Sequence, residues 1–342
     1  MGNSTQPFAS ELREWGKYLL TLNLFIMKKI KFFSALATAL LLLAITTGCD
    51  PDKKEPGDLS GLFEALEKPS EKTSFNAGTG LVFTSQSGKT TLSIPASSLV
   101  DESGNAVSGT VDLEFREIYS KGDMVRYRRP TQTIGGRGLE SGGEVYLGLS
   151  QGGKALRLAP GSKVFARMDT NDPKFDMDVF YGAIDPTTGQ FGWEDDGSVD
   201  TPNVVVSFDS ANVENYGYEF FSDSLDWVNC DRFWDIPANL KTTVCANLPT
   251  GFNQENTTVF LVFTNRNSVM HLWNDGTNNS FCGGDVPLDD AVTFIAVSVQ
   301  GEEGEEVYFL AHQAATVTAG LEVDLAPVET SMSDIEEFLG GF

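Results

Sequence analysis

The chain has 342 residues, of which 41% are hydrophobic and 24 are phenylalanine, so it can fill folded cores and is not a disordered chain. Its formal net charge of −24 argues against nucleic acids and other polyanions as partners, because an acidic surface repels them. With 34 glycines but only two histidines and four cysteines, the composition favours many turns and little metal chemistry.

The N-terminal region predicts export. A basic stretch at 27–31 precedes an apolar run at 32–45 and then Thr46-Thr47-Gly48-Cys49. This order is typical of a secretory signal peptide, since the run is shorter than the ~20 residues of a spanning helix. A small residue directly before a cysteine resembles the lipobox of bacterial lipoproteins, which implies cleavage after Gly48 and a diacylglycerol thioether on Cys49. The alternative is an ordinary signal peptide, or an uncleaved anchor, with an incidental cysteine.

These observations predict a lipoprotein signal peptide at 27–48, preceded at 1–26 by an extension of the gene model. The alternative for residues 1–26 is an unusually long n-region. Removal of residues 1–48 takes away five basic and two acidic side chains, so the net charge changes from −24 to −27. The expected location is the cell envelope, as an outer-membrane lipoprotein held to the bilayer by its lipid, on either the periplasmic or the exposed side. Residues 49–70 are polar at first and predict a flexible tether, with a short helix at 59–66.

From about residue 75 the apolar side chains alternate with polar ones. Val111, Leu113 and Phe115 share one face of a strand at 110–116, and further strands are predicted at 259–263, 268–273, 292–299, 307–310 and 317–325. Turn sequences at 101–105, 265–267 and 301–304 separate strands. Short strands without helical spacers predict an all-β protein of tandem β-sandwich-like domains.

The C-terminal segment predicts a short helix. Ser333-Asp334-Ile335-Glu336 reads as a capping box that opens a helix at 335–339, and Gly340-Gly341 ends it. We predict domains at 71–170 and 171–330, divided at the polar stretch 169–174, with a softer boundary near 240 and the helical segment at 331–342.

Two regions resemble a family of exported bacterial β-proteins related to the ZU5 domain. Residues 88–150 carry an Ile94-Pro95-Ala96 corner, an acidic-Gly turn at 101–105, alternating residues at 107–111 and 115–118, and Leu139-Glu140-Ser141-Gly142-Gly143-Glu144-Val145-Tyr146. Residues 227–233 match a second signature of such lipoproteins. The resemblance implies β-sandwich folds and a family without established activity. Some ZU5 relatives cleave themselves at a His-Phe-Ser step, which both histidine contexts here lack, so we predict no self-cleavage.

Two glycine-containing segments resemble nucleotide-binding motifs, but the residues around them do not fit such a site. Ser87-Gly88-Lys89-Thr90 ends like a phosphate-binding loop, but Phe83 stands where the pattern requires glycine, so it is predicted to be a hairpin turn. The glycines at 135–138 and 142–143 precede a predicted strand rather than a helix, which indicates corners between strands. We predict no cofactor site.

No catalytic or metal constellation is predicted. His271 and His312 belong to no recognisable triad, and the abundance of carboxylates makes any pair of them uninformative. Clusters at 169–178 and 185–200 lack the spacing of a calcium loop, although weak structural Ca²⁺ is a hypothesis there.

Cysteine, arginine and tryptophan side chains give the remaining candidates. Cys230 and Cys245 are the candidate disulfide, as the pair that closes the shortest loop among Cys230, Cys245 and Cys282, although the sequence does not fix the connectivity. The basic cluster 126–130 is interpreted as a strand whose charges pair with acids, or alternatively as a partner-docking edge. Trp193, Trp227, Trp234 and Trp273 are candidates for a glycan-binding surface or for the core.

The sequence therefore predicts a non-catalytic binding or scaffolding module of the envelope, with a protein or glycan as its partner. A glycan- or peptide-binding accessory protein of an uptake system is the second hypothesis. A carboxylate-dependent hydrolase is the third.

Overall fold

The computed structural model describes residues 58–186, 188–195, 203–209, 212–274, 279–302 and 304–342. The predicted signal peptide, Cys49 and most of the predicted tether lie outside the described residues, as does part of the acidic cluster at 185–200. The prediction of an all-β, sandwich-like architecture with a short C-terminal helix is confirmed in the described part of the chain.

Two antiparallel sheets form the first sandwich. The seven-stranded sheet has the order β1 (Glu71–Asn76), β5 (Thr110–Ile118), β6 (Leu139–Gln151), β14 (Asp226–Phe233), β10 (Asp178–Ile184) and β11 (Phe191–Asp195), with β7 (Lys154–Ala155) also on β6. The five-stranded sheet has the order β12 (Val205–Asp209), β13 (Asn212–Ser222), β9 (Val164–Thr170), β3 (Thr90–Ile94) and β2 (Leu81–Thr84). The short strands β4 (Leu99–Val100) and β8 (Arg157–Leu158) pair separately.

The alternation read from the sequence produces the core of this sandwich. Val111, Leu113 and Phe115 on β5 are all buried, as predicted. They pack in one apolar cluster with Leu92 of β3 and Met168 of β9, which belong to the opposite sheet. Each sheet therefore contributes one apolar face, and burial of these faces is the main force that holds the sheets together.

The third sheet contains eight strands and curls over its own core. Its order is β21 (Glu322–Asp324), β15 (Lys241–Asn247), β18 (Ser280–Pro287), β17 (Val269–Asn274), β16 (Thr257–Phe263), β19 (Ala291–Gln300), β20 (Val307–Thr316) and β22 (Val328–Thr330). Val244 and Phe281, on β15 and β18, share an apolar cluster with Leu261 and Phe294, on β16 and β19. Every residue of β16 is buried because both faces of the sheet are covered at its centre.

Three short helices cover the other face of this third sheet. They are α1 (Leu59–Leu66), α2 (Lys121–Arg126) and α3 (Met332–Leu339). Leu62, Phe63 and Leu66 of α1 are buried, and the Phe63 ring lies edge-on to Phe260 of β16 at 6.3 Å. The short helix predicted at 59–66 is thus present, and it belongs to the packed body rather than to a free tether.

The predicted start of the C-terminal helix is wrong, because the helix begins at Met332, three residues before 335. The N-cap is Ser331, whose hydroxyl accepts from the Asp334 backbone N–H at 3.2 Å while the Asp334 carboxylate accepts from the Ser331 N–H at 3.3 Å. Ser331 has extended backbone and can act as a cap, whereas Ser333 already lies in the first turn. The capping-box chemistry is therefore present, but it begins two residues earlier.

The strand predicted at 317–325 is interrupted by a turn. Gly320 has φ of +65°, and the Leu321 N–H donates to the Thr318 carbonyl, so only Glu322–Asp324 pairs as β21. Val317 and Val323 are buried on either side of this turn. The alternation of apolar residues predicts their burial correctly, but it does not predict that the turn interrupts the hydrogen bonds of the strand.

Sheet membership divides the chain near residue 240. Strands from both sides of the stretch 169–174 share each sandwich sheet, because β9 pairs with β13 and β6 pairs with β14. In the described residues the third sheet begins at Lys241 and draws all its strands from there onward. The domains drawn at 71–170 and 171–330 thus cross the sheets, whereas the softer boundary near 240 coincides with their division.

Candidate functional site

The two segments that carry the family resemblance lie side by side in the seven-stranded sheet. Residues 139–147 of β6 pair with β14, so the two stretches form one unit. The register shifts between Cys230, which pairs with Gly143, and Asp231, which pairs with Ser141. Gly142 is consequently the extra residue of a β-bulge, the feature by which sheets re-aim side chains. The glycine pair interpreted as a corner lies inside a long strand.

A buried polar chain lies on the face of these strands that points away from the sandwich core. Ser141 Oγ donates to Asn229 Oδ1 at 3.0 Å, and Asn229 Nδ2 donates to Asp231 Oδ2 at 2.7 Å. Asp231 Oδ1 is buried and has no hydrogen-bond partner among the described residues. Burial raises the pKa of Asp231 to about 8, so this carboxyl is largely protonated at neutral pH.

Glu144 is a second buried carboxyl on the same face. Both of its oxygens are buried, and neither has a hydrogen-bond partner within the part of the chain that the structure describes. Burial raises the pKa of Glu144 well above its ordinary value, and the neighbouring Asp231 raises it further while Arg129 lowers it. Neither acid lines the concave surface described next, so the two carboxyls belong to the packed interior.

A cavity of about 630 Å³ lies where the sandwich meets the third sheet. We call it the junction groove. Its residues come from the β2–β3 turn, the start of α2, the β6 bulge, the end of β9 and the β16–β17 turn: Ser87, Gly88, Lys89, Tyr119, Lys121, Glu140, Ser141, Gly142, Asp169, Thr170, Asn171, Asp172, Lys174, Tyr218, Thr264, Asn265, Arg266 and Asn267.

The bulge glycines allow two tyrosines to reach this groove. A Cβ on Gly142 would lie 2.6 Å from the Tyr218 ring, and one on Gly143 would lie 2.5 Å from the Tyr119 ring. Tyr119 is fixed further by its hydroxyl, which lies 2.8 Å from Thr90 Oγ1. The two tyrosine rings therefore pack directly against the backbone of the glycine pair, and any larger residue at these positions would displace them.

Hydrogen bonds fasten the β16–β17 turn to the bulged strand. The Ser141 N–H donates to the Asn267 carbonyl at 2.9 Å, and Asn267 Nδ2 returns a hydrogen bond to the Ser141 carbonyl at 2.9 Å. The groove is thus lined by residues of two β-regions that share backbone hydrogen bonds. Ser141 belongs both to the groove and to the buried chain that ends at Asp231.

The charged side chains of the groove differ in whether they form an ion pair. Its three carboxylates all have cationic partners: Glu140 pairs with Arg232, Asp169 with Arg167 and Asp172 with Lys174. Arg266 pairs in turn with Asp290.

Two ammonium groups remain without a carboxylate. Lys89 Nζ lies 4.9 Å above the Tyr119 ring. Lys121 Nζ donates to the Phe263 and Thr264 carbonyls at 2.6 and 3.3 Å, and burial lowers its pKa. Neither ammonium forms an ion pair with any residue that the structure describes. In a protein of strongly negative net charge, this groove is therefore a place where an anionic group can approach two free cations.

The sequence directed attention to some of these residues and missed others. Ser87–Thr90 is a hairpin turn between β2 and β3, as predicted, and contributes Lys89. Tyr119, Lys121 and Tyr218 were not predicted, because they are far apart in the chain. The available signal was the glycine pair inside a predicted strand, which marks a bulge or a close approach.

The cysteines pair differently from the candidate. The disulfide joins Cys245 and Cys282, which are directly opposite each other on β15 and β18, whereas Cys230 is buried and free. Cys230 belongs to the core of the first sandwich, so it cannot reach Cys245 in the other β-region. Loop length was the wrong criterion for the pairing. Two cysteines meet when their strands are neighbours in the sheet and the register places them opposite each other, whatever their separation in the sequence.

The basic cluster 126–130 is not a strand. Arg126 ends α2, is buried, and pairs with Asp123, while the following residues form a loop. The helix begins because Ser120 caps it, its hydroxyl accepting from the Asp123 N–H at 3.1 Å. Arg129 is also largely buried, and Arg128 is exposed.

The histidines and tryptophans occupy separate places. Burial lowers the pKa of His271, on β17, to about 3, while His312 is exposed and stacks on Phe338 at 4.5 Å. Trp193 and Trp234 are core residues, and Trp227 and Trp273 are half-buried. Among the described residues, no group of three or more His, Cys, Asp or Glu side chains could hold a metal ion. Weak Ca²⁺ binding stays a prediction.

Comparison with known proteins identifies no family. No family model matches the chain, and no curated protein matches it. The resemblance to ZU5-related exported proteins therefore stays a prediction that rests on the residues quoted for it. None of the helices in the described part of the chain is long and apolar enough to cross a membrane.

Proposed function

We propose that the chain is a non-catalytic binding or scaffolding lipoprotein of the bacterial cell envelope, tethered to the outer membrane through Cys49, and that the junction groove binds an anionic group of its partner. The observation that carries the binding role is that two ammonium groups of the groove, Lys89 and Lys121, have no carboxylate partner among the described residues. A carboxylate or phosphate entering the groove would gain charge-assisted hydrogen bonds without breaking an existing ion pair. The relation to ZU5-like exported proteins is part of this proposal.

The rigidity of the groove supports a binding role. Its walls are strands and tight turns, and the Asn267 and Ser141 backbones are already hydrogen-bonded to each other. A preformed site loses little conformational entropy when its ligand arrives. Each carboxylate that lines the junction groove has a cationic partner among the described residues, so the groove lacks an evident general base.

We expect the Lys89→Gln variant to lose anion binding while keeping its fold. Lys89 is exposed and forms no ion pair, so glutamine removes the charge without leaving a buried partner. The probes are citrate and inorganic phosphate, followed by NMR through the backbone amides of Gly88 and Asn267. In the wild type these resonances should shift at millimolar anion, and in the variant the shifts should fall several-fold.

The matched control is Lys154→Gln, which removes an exposed lysine from β7, away from the groove residues. It should titrate like the wild type. Equal shifts in Lys89→Gln and the wild type, or no shifts at Gly88 and Asn267 in either, would remove the groove from the proposal.

Lipid attachment is tested separately. We expect cells to incorporate labelled palmitate into the wild type and into Cys230→Ala, but not into Cys49→Ala, which should leave the membrane fraction. Protease added to intact cells then decides the side of the membrane: digestion indicates surface exposure, and resistance until the outer membrane is opened indicates the periplasm. Labelling of Cys49→Ala at the wild-type level would exclude the proposed anchor.

A further inference from the structure

A second concave surface lies between the β10–β11 hairpin and the third sheet. Two cavities, of about 370 and 350 Å³, adjoin there because Gln190, Phe191, His271 and Trp273 line both of them. We call this continuous surface the arginine–aromatic cleft. It has no lining residue in common with the junction groove, so the two sites can be tested independently.

One end of the cleft presents a guanidinium that the protein holds rigidly. The Arg129 guanidinium lies 4.1 Å from the centre of the Phe191 ring and 4.5 Å from that of Trp227. Its Nη1 donates to the Tyr127 and Arg128 carbonyls, both at 3.2 Å. Among the described residues neither its Nε nor its Nη2 has a hydrogen-bond acceptor; Nε is buried, so Nη2 is the nitrogen left for a ligand. Aromatic rings on a guanidinium fix its orientation and leave its charge unneutralised.

A second arginine stands at the same end. Arg128 is exposed, has φ of +53°, and places its guanidinium 5.1 Å from the Phe63 ring. A non-glycine residue in this left-handed region is uncommon and is held there by its surroundings. Adjacent arginines without an ion-pair partner in the described chain suit a carboxylate, which accepts two parallel hydrogen bonds from a guanidinium.

The middle of the cleft is aromatic and polar rather than deeply apolar. Phe191, His271 and Trp273 are half-buried, and the imidazole of His271 is uncharged at neutral pH. Gln190, Gln254 and the hydroxyl of Thr258 add groups that both donate and accept hydrogen bonds. Flat aromatic faces beside amides and hydroxyls match a sugar ring, which has apolar C–H faces and a rim of hydroxyl groups.

The far end of the cleft carries the opposite charge. Asp185 and Asp285 line the second cavity, together with the glycines of β18 and of the loop before β6. A ligand that carried a carboxylate on every unit would be repelled there. The cleft therefore favours a chain with an acidic unit at the arginine end and neutral units toward the aspartates.

The strand edges around the cleft argue against an extended peptide. Peptides of that kind bind by adding a strand to a free sheet edge. β17 is already paired on both sides, with β16 and β18. The outer edge of β11 is taken by the segment around Thr133, because the Ile134 N–H donates to the Trp193 carbonyl and the Trp193 N–H to the Gln132 carbonyl.

From this arrangement we propose that the arginine–aromatic cleft binds an acidic glycan in which single uronic acid units are separated by neutral sugars. The net negative charge of the protein opposes polyanions of high charge density. In this cleft two arginines without an ion-pair partner in the described chain offset that repulsion for one carboxylate. Arg128 and Arg129 hold the uronate carboxylate. Trp273 and Phe191 contact sugar faces, and Asp185 and Asp285 accept hydrogen bonds from hydroxyls of a neutral unit. The inference does not depend on the junction groove.

Calorimetric titration of the full chain in detergent, with three oligosaccharides of defined charge, tests this proposal. A hyaluronan tetrasaccharide, in which uronate and neutral amino sugar alternate, should bind best. Trigalacturonate, acidic on every unit, and chitotetraose, neutral throughout, should each bind several-fold more weakly. Arg128→Ala removes a charge-assisted hydrogen bond and Trp273→Ala removes an aromatic face from the sugar, and each should weaken binding of the tetrasaccharide about tenfold.

Arg157→Ala is the matched control, since it removes an arginine from β8 of the first sandwich, and Lys89→Gln is the second control. Both should bind the tetrasaccharide like the wild type, and circular dichroism should show all variants folded. The proposal is overturned if chitotetraose binds as well as the hyaluronan fragment, if Arg128→Ala leaves the affinity unchanged, or if an acidic tetraglutamate peptide binds and the hyaluronan fragment does not.

Discussion

The Asp231→Asn variant is expected to be more stable than the wild type at neutral and alkaline pH, and the difference should disappear near pH 4. In the unfolded chain this carboxyl ionises near its ordinary pKa of 3.8, whereas in the folded protein burial raises its pKa to about 8. Between these values the folded state holds a proton that the unfolded state has released. Stability is therefore fully present below the unfolded pKa, falls as the pH rises, and stops falling above the folded pKa.

The size of this effect follows from the two pKa values. At pH 7 the pH lies about three units above the ordinary pKa of 3.8 but still below the folded pKa of about 8. Each unit above the ordinary pKa lowers the free energy of unfolding of the wild type by about 1.4 kcal/mol, so the wild type loses about 4 kcal/mol at pH 7. Asparagine carries no proton that can be lost, and its carbonyl oxygen can still accept from Asn229 Nδ2. Glu144→Gln should act in the same direction, because burial also raises the pKa of Glu144.

Urea unfolding of these variants and the wild type from pH 4 to pH 9 measures the prediction. The control is Glu102→Gln, which neutralises an exposed acid in the turn after β4 and should leave the pH dependence of the wild type unchanged. If Asp231→Asn kept the full pH dependence of the wild type, or were less stable than it at pH 8, the carboxyl would not be the buried proton acceptor that the geometry indicates.

Removal of the disulfide is expected to give the second large effect, a decrease of about 4 kcal/mol in the free energy of unfolding. This value reflects the conformational entropy that the unfolded chain loses when the bond closes the loop between Cys245 and Cys282, which are 37 residues apart. For a chain of this size the melting temperature should fall by roughly 10 °C. Cys245→Ala with Cys282→Ala should melt at the lower temperature with or without reductant. The cost is concentrated in the third sheet, because both cysteines belong to it.

Calorimetry of the oxidised and reduced wild type provides the comparison. Cys230→Ala is the matched control: it removes the buried free thiol and should keep the full response to reductant, whatever its own stability. Peptide mapping under non-reducing conditions should recover Cys245 joined to Cys282. Recovery of Cys230 joined to Cys245 instead, or a melting temperature indifferent to reductant, would contradict the assignment.

Local patterns read from the sequence were reliable where one residue and its near neighbours decide the outcome. The alternation around Val111 placed that strand's apolar side chains in the core. The mismatch at Phe83 marked Ser87–Thr90 as a hairpin turn, which it is. The helix at 59–66 was found as well, but its packing against Phe260 required the third sheet.

Patterns that depend on register were not predictable in the same way. The cysteine pairing was chosen by loop length, but Cys245 faces Cys282 because β15 and β18 are neighbours in a sheet. The basic cluster was interpreted as a strand, yet Ser120 caps a helix immediately before it. Strand order and cap geometry decide such cases, and neither is local in the sequence.

By itself the sequence determined the β-rich class, the acidic character, the single helix after the last strand, and the apolar faces of the strands, since periodicity and composition express burial directly. Only the tertiary structure decided which residues meet. It placed Lys89, Tyr119 and Lys121 around one groove. It also buried Glu144 and Asp231 and packed Arg129 against two aromatic rings. Each of these arrangements joins segments far apart in the chain, and their distances depend on strand order, bulges and sheet curvature.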